Sequence, residues 1–461
     1  MSASCALKPD CRRLDGTLPR GLAALLARPV PRYTSYPTAP HFHRGVDEAR
    51  YRRWLAQLDG AAPVSLYLHV PFCHRLCWYC GCHTSIERRA APIEAYVDGL
   101  IAELESVADA ARGRLSVSAL HLGGGTPNML PAAALRRLFG AVHRQLRLLP
   151  SAEIAAEIDP RILTPEWVEA AAEVGLNRAS LGVQDIDPTV QRAINRLQPF
   201  AATVRAVELL RAAGVGSINL DLMYGLPHQT VDSIVATVDT VAGLAPDRIA
   251  LFGYAHVPWM KPSQKILSGP ALPGPIQRLD QQAAAAERLV RHGYVGIGLD
   301  SFARPEDPLT KGARRNFQGY TTDTAAALIG LGASAIGRLP QGYVQGVTAI
   351  PEWQAAVLAG RLPVARGVEL TAEDRFRGEI IERLMCELEV DIGDVAARHG
   401  RSACEVEAEI GDLDLLAGDR LVDRDGRRIR VTERGRPFVR SVCAVFDRYL
   451  DGGGARHAAA V

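Results

Sequence analysis

The sequence lacks a long uncharged apolar run, and this absence limits where the protein can work. No window approaches the roughly 18 to 20 apolar residues of a membrane-spanning helix. The first residues, MSASCALKPDCRRLDG, also lack the apolar stretch of a signal peptide. We therefore expect a cytoplasmic protein that has no membrane partner.

A strong excess of charge of either sign is also missing. The 461 residues carry 53 basic and 51 acidic side chains, which leaves a net charge of +2. A protein whose main task is to bind nucleic-acid phosphates or acidic lipid surfaces usually carries a larger positive excess. The composition therefore predicts no nucleic-acid partner. The length allows a large barrel followed by a smaller second domain.

The nine cysteines do not form the even, dispersed set of a disulfide framework. Four of them lie between residues 73 and 82, and the others are scattered at Cys5, Cys11, Cys386, Cys404 and Cys443. In a reducing compartment, a crowd of thiols indicates metal binding or redox chemistry. The segment PFCHRLCWYCGCH is therefore the first candidate for a functional site.

From about Val64 the sequence alternates short apolar runs with helix-length amphipathic ones. The runs predicted to be buried strands are VSLYLHV, SVSALHL, AEIAAEI, RASLGV, SINLDLM, RIALFGY and YVGIGL. Repeated strand-then-helix units predict parallel strands with crossover helices. We favour a closed or partly closed α/β barrel over an open sheet. The active site of a barrel lies at the carboxyl ends of its strands, where the cysteines, GGGTP, Glu157, Gln184 and Asp221 fall.

The pattern predicts four regions along the chain. Residues 1–55 form an N-terminal segment, in which the first 20 are disordered and the remainder closes over the substrate. Residues 56–330 form the barrel, residues 331–450 a mainly helical domain with a hairpin turning at Asp425 and Gly426, and residues 451–461 a disordered tail. A DNA-binding winged helix is an alternative for the helical domain, but the near-neutral charge favours a lid or packing domain.

Cys73, Cys77 and Cys80 are spaced C-x3-C-x2-C, so a single short segment can direct three sulfurs at one centre. A four-iron cluster held by three protein thiolates keeps one iron open to another ligand. A structural zinc site would need a second ligand pair, and the other cysteines are not paired in sequence. A redox pair of Cys77 with Cys80 would leave Cys73 unexplained. Zinc, a redox pair and chance clustering of structural thiols are the alternatives at this stage.

Longer motifs around the cysteines carry a resemblance to a known family. The C-x3-C-x2-C spacing, with Tyr79 before its last cysteine, resembles the radical S-adenosylmethionine superfamily. From about Arg32 to Leu450 the chain resembles the oxygen-independent coproporphyrinogen III oxidases (dehydrogenases) in PRYTSYPTAPHFH, LYLHVPFCHRLCWYCGCHT, GGGTPNML, EIDPR, SLGVQD, INRLQ, DLMYGLPHQT, NFQGYTT and CAVFDRYL. The resemblance implies a partial (β/α)6-type barrel with an N-terminal segment and a mainly helical C-terminal domain.

The resemblance also implies the cofactors and their contacts. One 4Fe-4S cluster is held by Cys73, Cys77 and Cys80, and Cys82 is not a ligand. Two molecules of S-adenosylmethionine bind, and one of them chelates the open iron. Positions that match contacts to the first molecule are Tyr67, Gly124, Glu157 and Ile336. Positions that match contacts to the second are Tyr79, Gly125, Thr126, Gln184, Arg196, Asp221 and Ala255.

The residue types at these positions suit the implied contacts. Consecutive glycines let backbone N–H groups approach a carboxylate closely, because no Cβ stands in the way. Glu157 and Asp221 can accept hydrogen bonds from ribose hydroxyls or an ammonium, and Arg196 can pair with a methionine carboxylate.

The implied reaction is the anaerobic oxidative decarboxylation of coproporphyrinogen III. A 5′-deoxyadenosyl radical takes hydrogen from the β-carbon of a propionate, and loss of carbon dioxide and one electron leaves a vinyl group. Two rounds give protoporphyrinogen IX for haem and porphyrin biosynthesis. The resemblance further implies an external electron donor, such as flavodoxin or ferredoxin, and a monomeric enzyme.

Two other functions stay open from the sequence. A haem-binding chaperone relative would share the barrel and three cysteines, although such relatives lack the CxC that Cys82 completes. A radical S-adenosylmethionine enzyme acting on another tetrapyrrole is suggested by Ser301, since the family's pattern has His at that position. Arginines that could meet propionates are Arg32, Arg304, Arg314 and Arg315.

Overall fold

The computed structural model describes most of the chain between residues 28 and 450. The described residues are 22, 25–26, 28–267, 269–402, 404, 413–450 and 457–459. The predicted disorder of residues 1–20 therefore concerns residues outside the described part, as does most of the predicted disordered tail.

The first half of the chain alternates strands with helices. In chain order the elements are α1 Glu48–Ala56, β1 Val64–Val70, β2 Phe72–Cys73, β3 Ser85–Ile86, α2 Ala90–Ala110, β4 Ser116–Gly124, α3 Ala132–Gln145, β5 Arg147–Ile158, α4 Pro165–Glu173, β6 Arg178–Gln184, α5 Pro188–Ala193, α6 Phe200–Ala212, β7 Ser217–Tyr224, α7 Val231–Ala242 and β8 Arg248–Gly253.

The second half begins with a long helix and continues with short strands before the terminal helices. These elements are α8 Pro275–Arg291, β9 Val295–Ile297, β10 Ser301–Ala303, β11 Arg314–Asn316, β12 Gly319–Thr321, β13 Ala327–Leu331, β14 Ile336–Leu339, β15 Gly342–Gly346, α9 Ile350–Leu358, β16 Val364–Glu369, α10 Ala372–Glu387, β17 Glu389–Asp391, α11 Ile392–Arg398, α12 Leu413–Gly418, β18 Val422–Asp425, β19 Arg428–Val431 and α13 Val439–Ala444.

One twelve-stranded sheet organises the molecule, in the order β16-β15-β14-β13-β1-β4-β5-β6-β7-β8-β10-β9. The seven strands from β13 to β8 are parallel. Antiparallel strands extend the sheet at both ends. The carboxyl ends of the parallel strands therefore meet along one edge, as a partial α/β barrel requires.

The central strands are apolar along their length because helices cover the sheet. In β1 six of the seven residues are buried, and only Tyr67 is partly exposed. Side chains just before the helices satisfy their first backbone N–H groups, as Thr230 does for Ser233 in α7 and Thr164 for Trp167 in α4. Within the described ranges, none of the helices has the length and apolar character needed to cross a bilayer.

Six of the seven predicted strands are confirmed as parallel strands, but YVGIGL is not one. It contains only the three-residue β9, which pairs antiparallel with β10 at the sheet edge. Gly298 follows with φ of +52°, so the chain turns before a longer strand can form. The seventh parallel position is taken by β13, whose segment ALIGL the sequence analysis did not select.

The C-terminal part agrees with the prediction in its helices and hairpin but not in where the sheet ends. Strands β18 and β19 pair as a hairpin in which Asp425 faces Arg428, and Gly426 has φ of +57°. The predicted boundary between residues 330 and 331 falls inside β13, and the main sheet continues as far as Glu369. The division into domains itself stays a prediction.

The C-terminal helices and the barrel share one hydrophobic core. Phe376 and Leu384 of α10 belong to the same cluster of buried side chains as Leu66 and Leu68 of β1. At the C-terminus, residues 457–459 differ from the predicted disorder. Ala459 bridges to Pro29, because the backbone carbonyls of this short segment accept hydrogen bonds from Val30 and Arg440.

Candidate active site

The cysteine loop leaves β1 and is held against the turn that follows α5. The backbone N–H of Trp78 donates to the carbonyl of Ile194 at 3.1 Å, and the Asn195 side chain donates to the carbonyl of Leu76 at 2.8 Å. Asn195 has φ of +56°, which Asn tolerates better than most residues. The loop conformation therefore depends on residues more than a hundred positions later in the chain.

Each predicted ligand except Cys80 has a polar neighbour from a later part of the chain that contacts its sulfur. Thr126 Oγ1 donates to Cys73 Sγ at 3.4 Å, and Arg196 Nη1 donates to Cys77 Sγ at 3.6 Å. Burial raises the pKa of Cys73 to about 11. A guanidinium at a thiolate favours the charged form, which is the form that binds metals.

Cys80 contacts the fourth thiol of the loop. A hydrogen bond from Cys82 is the main cause that lowers the pKa of Cys80 to about 6, and it raises the pKa of Cys82 well above its usual value. The Cys82 carbonyl accepts a hydrogen bond from Lys261 Nζ at 2.7 Å. The two thiols of the CxC motif thus differ, with the thiolate favoured at Cys80.

Glycines 123 to 125 bring the end of β4 close to this loop. A Cβ at Gly125 would lie 2.6 Å from the carbonyl oxygen of Phe72, and Gly124 has φ of +116°. From the sequence, these N–H groups are predicted to face a cofactor carboxylate. Instead, Gly124 N–H donates to Glu157 Oε2 at 3.1 Å and Gly125 N–H donates to the carbonyl of Val70 at 2.8 Å. Here the glycines are required by close packing of the strand ends.

The four positions predicted to contact the first S-adenosylmethionine lie near one another. A Cβ at Gly123 would contact both Tyr67 and Glu157 within 2.9 Å. Tyr67 faces Gly330 in the register of β1 and β13, and the backbone of Ile336 packs on Gly330. These residues therefore form one group, to which Gly124 belongs through its hydrogen bond to Glu157.

Two histidines that the sequence analysis did not assign complete this group. His121 lies 3.4 Å from Glu157 Oε1 and stacks on Tyr67, while His69 Nδ1 lies 3.0 Å from the Tyr67 hydroxyl. Burial opposes ionisation of Glu157, but the hydrogen bonds and charge of His121 outweigh it and lower the pKa. The sequence does hold a signal for both histidines. His69 lies on the strand that precedes the cysteines and His121 on the strand that precedes the glycines, so the alternation of side chains along each strand could have indicated them.

Gln184 and Arg196, predicted to contact the second S-adenosylmethionine, form a second group at the end of β6. A Cβ at Gly182 would lie 3.0 Å from Arg196 Nη2 and 3.1 Å from Gln184 Nε2. Arg196 donates to the carbonyl of Gly182 at 2.6 Å and lies 3.7 Å from Asp159. Gln184 Oε1 and Arg196 Nε are buried without a hydrogen-bond partner among the described residues. Such atoms are expected where a polar ligand binds.

The remaining predicted contacts surround this second group. Asp221 accepts hydrogen bonds from Ser180 and Asn219, and burial followed by the charge of Glu157 raises its pKa to about 7. Tyr79 packs on the apolar cluster that contains Tyr254, and Ala255 follows on the wall of a cavity. Thr126, as noted, donates its hydroxyl to Cys73.

Asp159 and Arg161, which lie in the motif EIDPR, are also part of the site. Arg161 forms a close ion pair with Asp159 at 2.6 Å, and its Nη2 reaches 4.0 Å from Cys77 Sγ. Asp159 thereby positions two guanidiniums, those of Arg161 and Arg196, beside one thiol. This role of Asp159 and Arg161 was not predicted from the sequence, although EIDPR is one of the family motifs.

The fold and the three-cysteine loop define the class of protein. A family model described as the Radical SAM superfamily matches residues 67–241, and one described as the HemN C-terminal domain matches residues 370–438. The protein is a radical S-adenosylmethionine enzyme.

Full-length relatives identify the family within that class. Oxygen-independent coproporphyrinogen III oxidases of Bradyrhizobium diazoefficiens and Pseudomonas aeruginosa are 51% and 40% identical to this chain. The alignments cover 94% and 91% of this chain and 97% and 93% of those proteins. The solved structure of coproporphyrinogen III oxidase (HemN) from Escherichia coli has a TM-score of 0.86 at 36% identity, and covers 91% of this chain and 98% of that one. The chain belongs to the oxygen-independent coproporphyrinogen III oxidase family.

Membership implies a 4Fe-4S cluster and S-adenosylmethionine, and the residues present fit both groups. In the part of the chain that the structure describes, no three His, Cys, Asp or Glu side chains stand close enough to hold a single metal ion. A four-iron cluster separates its thiolates more widely, because each thiolate binds a different iron. The partnerless atoms of Gln184 and Arg196 suit a polar ligand beside the thiols.

Proposed function

We propose that the protein catalyses the anaerobic oxidative decarboxylation of two propionate side chains of coproporphyrinogen III, which yields protoporphyrinogen IX. The observation that carries the proposal is similarity to relatives named for this substrate over almost the whole chain, at 51% identity in the Bradyrhizobium protein. The cysteines and the acidic, amide and guanidinium groups at neighbouring strand ends support it.

Cys73, Cys77 and Cys80 would hold the cluster, and two molecules of S-adenosylmethionine would bind in the two groups of residues described above. The cluster and S-adenosylmethionine, when bound, supply the 5′-deoxyadenosyl radical that removes hydrogen from the substrate. The group around Glu157 and Tyr67 would hold the first molecule. The group around Gln184, Arg196 and Asp221 would hold the second.

The side chains suit the polar parts of these ligands. The buried guanidinium of Arg196 would pair with a methionine carboxylate, and the partnerless Oε1 of Gln184 would accept a hydrogen bond from an ammonium or hydroxyl. Glu157, with its lowered pKa, is an anion at neutral pH and would accept hydrogen bonds from ribose hydroxyls.

Each propionate that becomes a vinyl group gives up one hydrogen atom, carbon dioxide and one electron. The electron leaves to an external acceptor, and a separate reductant must supply the electron that starts each round. Flavodoxin or ferredoxin as reductant, and a monomeric state, stay predictions from the sequence.

The test is anaerobic turnover. The protein is reconstituted with iron and sulfide, reduced, and incubated with S-adenosylmethionine and coproporphyrinogen III. We expect both 5′-deoxyadenosine and protoporphyrinogen IX, the second measured after oxidation to the fluorescent porphyrin. Tight haem binding with no decarboxylation would favour the chaperone alternative, and 5′-deoxyadenosine formed while coproporphyrinogen III is not consumed would favour another substrate.

A further inference from the structure

A cavity lined by four arginines lies beside the carboxyl ends of β7 and β8. It is partly open to solvent. The arginines come from four different parts of the chain. They are Arg32 of the N-terminal segment, Arg278 of α8, Arg315 of β11 and Arg440 of α13. Ala255, one of the predicted cofactor contacts, lies on the same wall.

The side chains that line this cavity carry more positive than negative charge. Asp300 is the one acidic side chain among the described residues that line it, at 3.7 Å from Arg315 Nη1. Arg32 and Arg278 donate to neutral backbone carbonyls, those of Gly253 at 2.8 Å and Tyr254 at 2.7 Å. The cavity therefore carries three more positive than negative side chains in its lining.

Several guanidinium donors of these arginines are buried without a hydrogen-bond acceptor among the described residues. The side chain of Arg315 is only 7% exposed, and both its Nε and its Nη1 lack a hydrogen-bond partner among the described residues. Nε of Arg278 is buried and partnerless as well. A buried guanidinium donor without an acceptor is costly, so a ligand that supplies acceptors is expected.

Desolvation and neighbouring charges shift the pKa values of these arginines. Burial lowers the pKa of Arg440 to about 10, with the charge of Arg32 as the next cause. Desolvation lowers the pKa of Arg32, the charge of Asp300 opposes this shift and the charge of Arg315 adds to it, whereas the pKa of Arg315 itself is raised. Bound carboxylates would relieve the repulsion between Arg32 and Arg440 and would also satisfy the partnerless donors of Arg278 and Arg315.

We propose that this cavity binds the two propionate carboxylates of the substrate that survive the reaction. The inference rests on the proposed function and names the part of the substrate that the arginines recognise. In coproporphyrinogen III the two propionates that persist lie on neighbouring pyrrole rings, so both can reach a single cavity.

The chemistry of decarboxylation separates the surviving propionates from the reacting ones. A carboxylate held by guanidiniums is stabilised as an anion, whereas a reacting propionate must lose that charge as neutral carbon dioxide. Arginine pairing would therefore oppose the reaction at a propionate that must react. Because Ala255 lies on the cavity wall, an edge anchored in the cavity would leave the rest of the macrocycle beside the predicted cofactor contacts.

Binding of fluorescent porphyrins to the reconstituted protein tests the proposal without turnover. Mesoporphyrin IX has the two surviving propionates and ethyl groups at the reacting positions, coproporphyrin III has all four propionates, and the dimethyl ester of mesoporphyrin IX has no free carboxylate. The variants are Arg278→Gln and Arg315→Gln. The matched control is Arg304→Gln, since Arg304 stacks on Tyr294 at 4.4 Å and does not line the cavity.

We expect the unaltered protein to bind mesoporphyrin IX about tenfold or more tightly than its dimethyl ester. Arg278→Gln and Arg315→Gln should each weaken the binding of mesoporphyrin IX and of coproporphyrin III by about tenfold or more. Arg304→Gln should weaken the binding of neither. Equal binding of mesoporphyrin IX and its dimethyl ester would overturn the proposal. This comparison uses only the unaltered protein, so it does not depend on whether a variant folds. Weaker binding of coproporphyrin III alone would overturn it too, because the cavity would then hold the reacting propionates.

The outcomes also distinguish this inference from the proposed function. Carboxylate-dependent binding that is lost in the arginine variants, without any decarboxylation, would reject the function and keep the cavity assignment. Normal decarboxylation by variants that bind mesoporphyrin IX unchanged would reject only the assignment.

Discussion

At the scale of single residues, the four thiols of the cysteine loop have different surroundings. Cys73 and Cys77 receive hydrogen bonds from Thr126 and Arg196, whereas Cys82 donates to Cys80. We predict that Cys73→Ala, Cys77→Ala and Cys80→Ala each lose the cluster, because each thiolate binds a separate iron. Iron content and visible absorbance after anaerobic reconstitution measure the loss.

Cys82→Ala is the matched variant in the same loop. It should keep its iron, since Cys82 lies outside the predicted ligand set and supports Cys80 only through a hydrogen bond. A protein with this substitution that holds no iron would show that the division of the four thiols is incorrect.

A second residue-scale prediction concerns Glu103, which is buried between α2 and α9. It accepts hydrogen bonds from Gly332 N–H at 2.7 Å and Trp353 Nε1 at 3.0 Å, and burial raises its pKa to about 7. Because the pKa is higher in the folded state, Glu103 favours folding most below pH 4.5, and this contribution is lost as pH rises through 7. The free energy of unfolding of Glu103→Gln, taken relative to that of the unaltered protein, should therefore increase by about 3 kcal/mol as the pH rises from 4.5 to 8.

Denaturant unfolding at the two pH values measures this change. The exposed Glu352 of α9 provides the control substitution, Glu352→Gln, which should leave the pH dependence as it is. A Glu103→Gln difference that is the same at both pH values would contradict the raised pKa.

At the scale of elements, two helical glycines have opposite predicted effects. A Cβ at Gly99 of α2 would lie 2.8 Å from two ring carbons of Trp353, which is fully buried in α9. Gly99→Ala should therefore destabilise the protein by about 1–3 kcal/mol, because the two helices must move apart. A Cβ at Gly140 of α3 would meet only Arg144 Nη1 at 3.6 Å. Gly140→Ala should stabilise the protein by about 0.5–1 kcal/mol through helix propensity.

The midpoints of thermal unfolding of both variants, measured under the same conditions, test these opposite effects. If Gly99→Ala raised the midpoint as Gly140→Ala is expected to do, the close contact of α2 with α9 would be refuted.

At the scale of the whole molecule, the N-terminal segment joins the sheet to the C-terminal helices. The Tyr33 hydroxyl donates to Asp447 at 3.0 Å, and the Tyr36 hydroxyl accepts from Arg448 N–H at 3.1 Å. Arg32 reaches the cavity. Deleting residues 1–40 should therefore abolish turnover and weaken coproporphyrin III binding by about tenfold or more, while the cysteine loop keeps its iron.

The full-length variant Arg32→Gln separates the two contributions of this segment. It should reproduce the weaker binding but retain the thermal stability that the deletion loses with Tyr33 and Tyr36. Unchanged turnover after deletion of residues 1–40 would reject both the closing role of the segment and the place of Arg32 in the site.

Local patterns in the sequence were sufficient for much of this molecule. Six parallel strands, the hairpin at Gly426 and the spacing of Cys73, Cys77 and Cys80 follow from interactions between residues close in the chain. Apolar runs must be buried, turns need particular backbone angles, and three nearby sulfurs can reach one centre. The family motifs added the positions of the cofactor contacts as predictions.

The tertiary structure alone decided how distant segments meet. Strand β13 could not be selected from its own five residues, because its place is set by pairing with β1 more than 250 positions earlier. Of the arginines that the sequence suggested for the propionates, Arg32 and Arg315 line the cavity, whereas Arg304 stacks on Tyr294 and Arg314 is exposed. Arg278 and Arg440 were not suggested at all. A charged side chain is on the surface in most contexts, and only chain closure over long separations gathers four of them around one cavity.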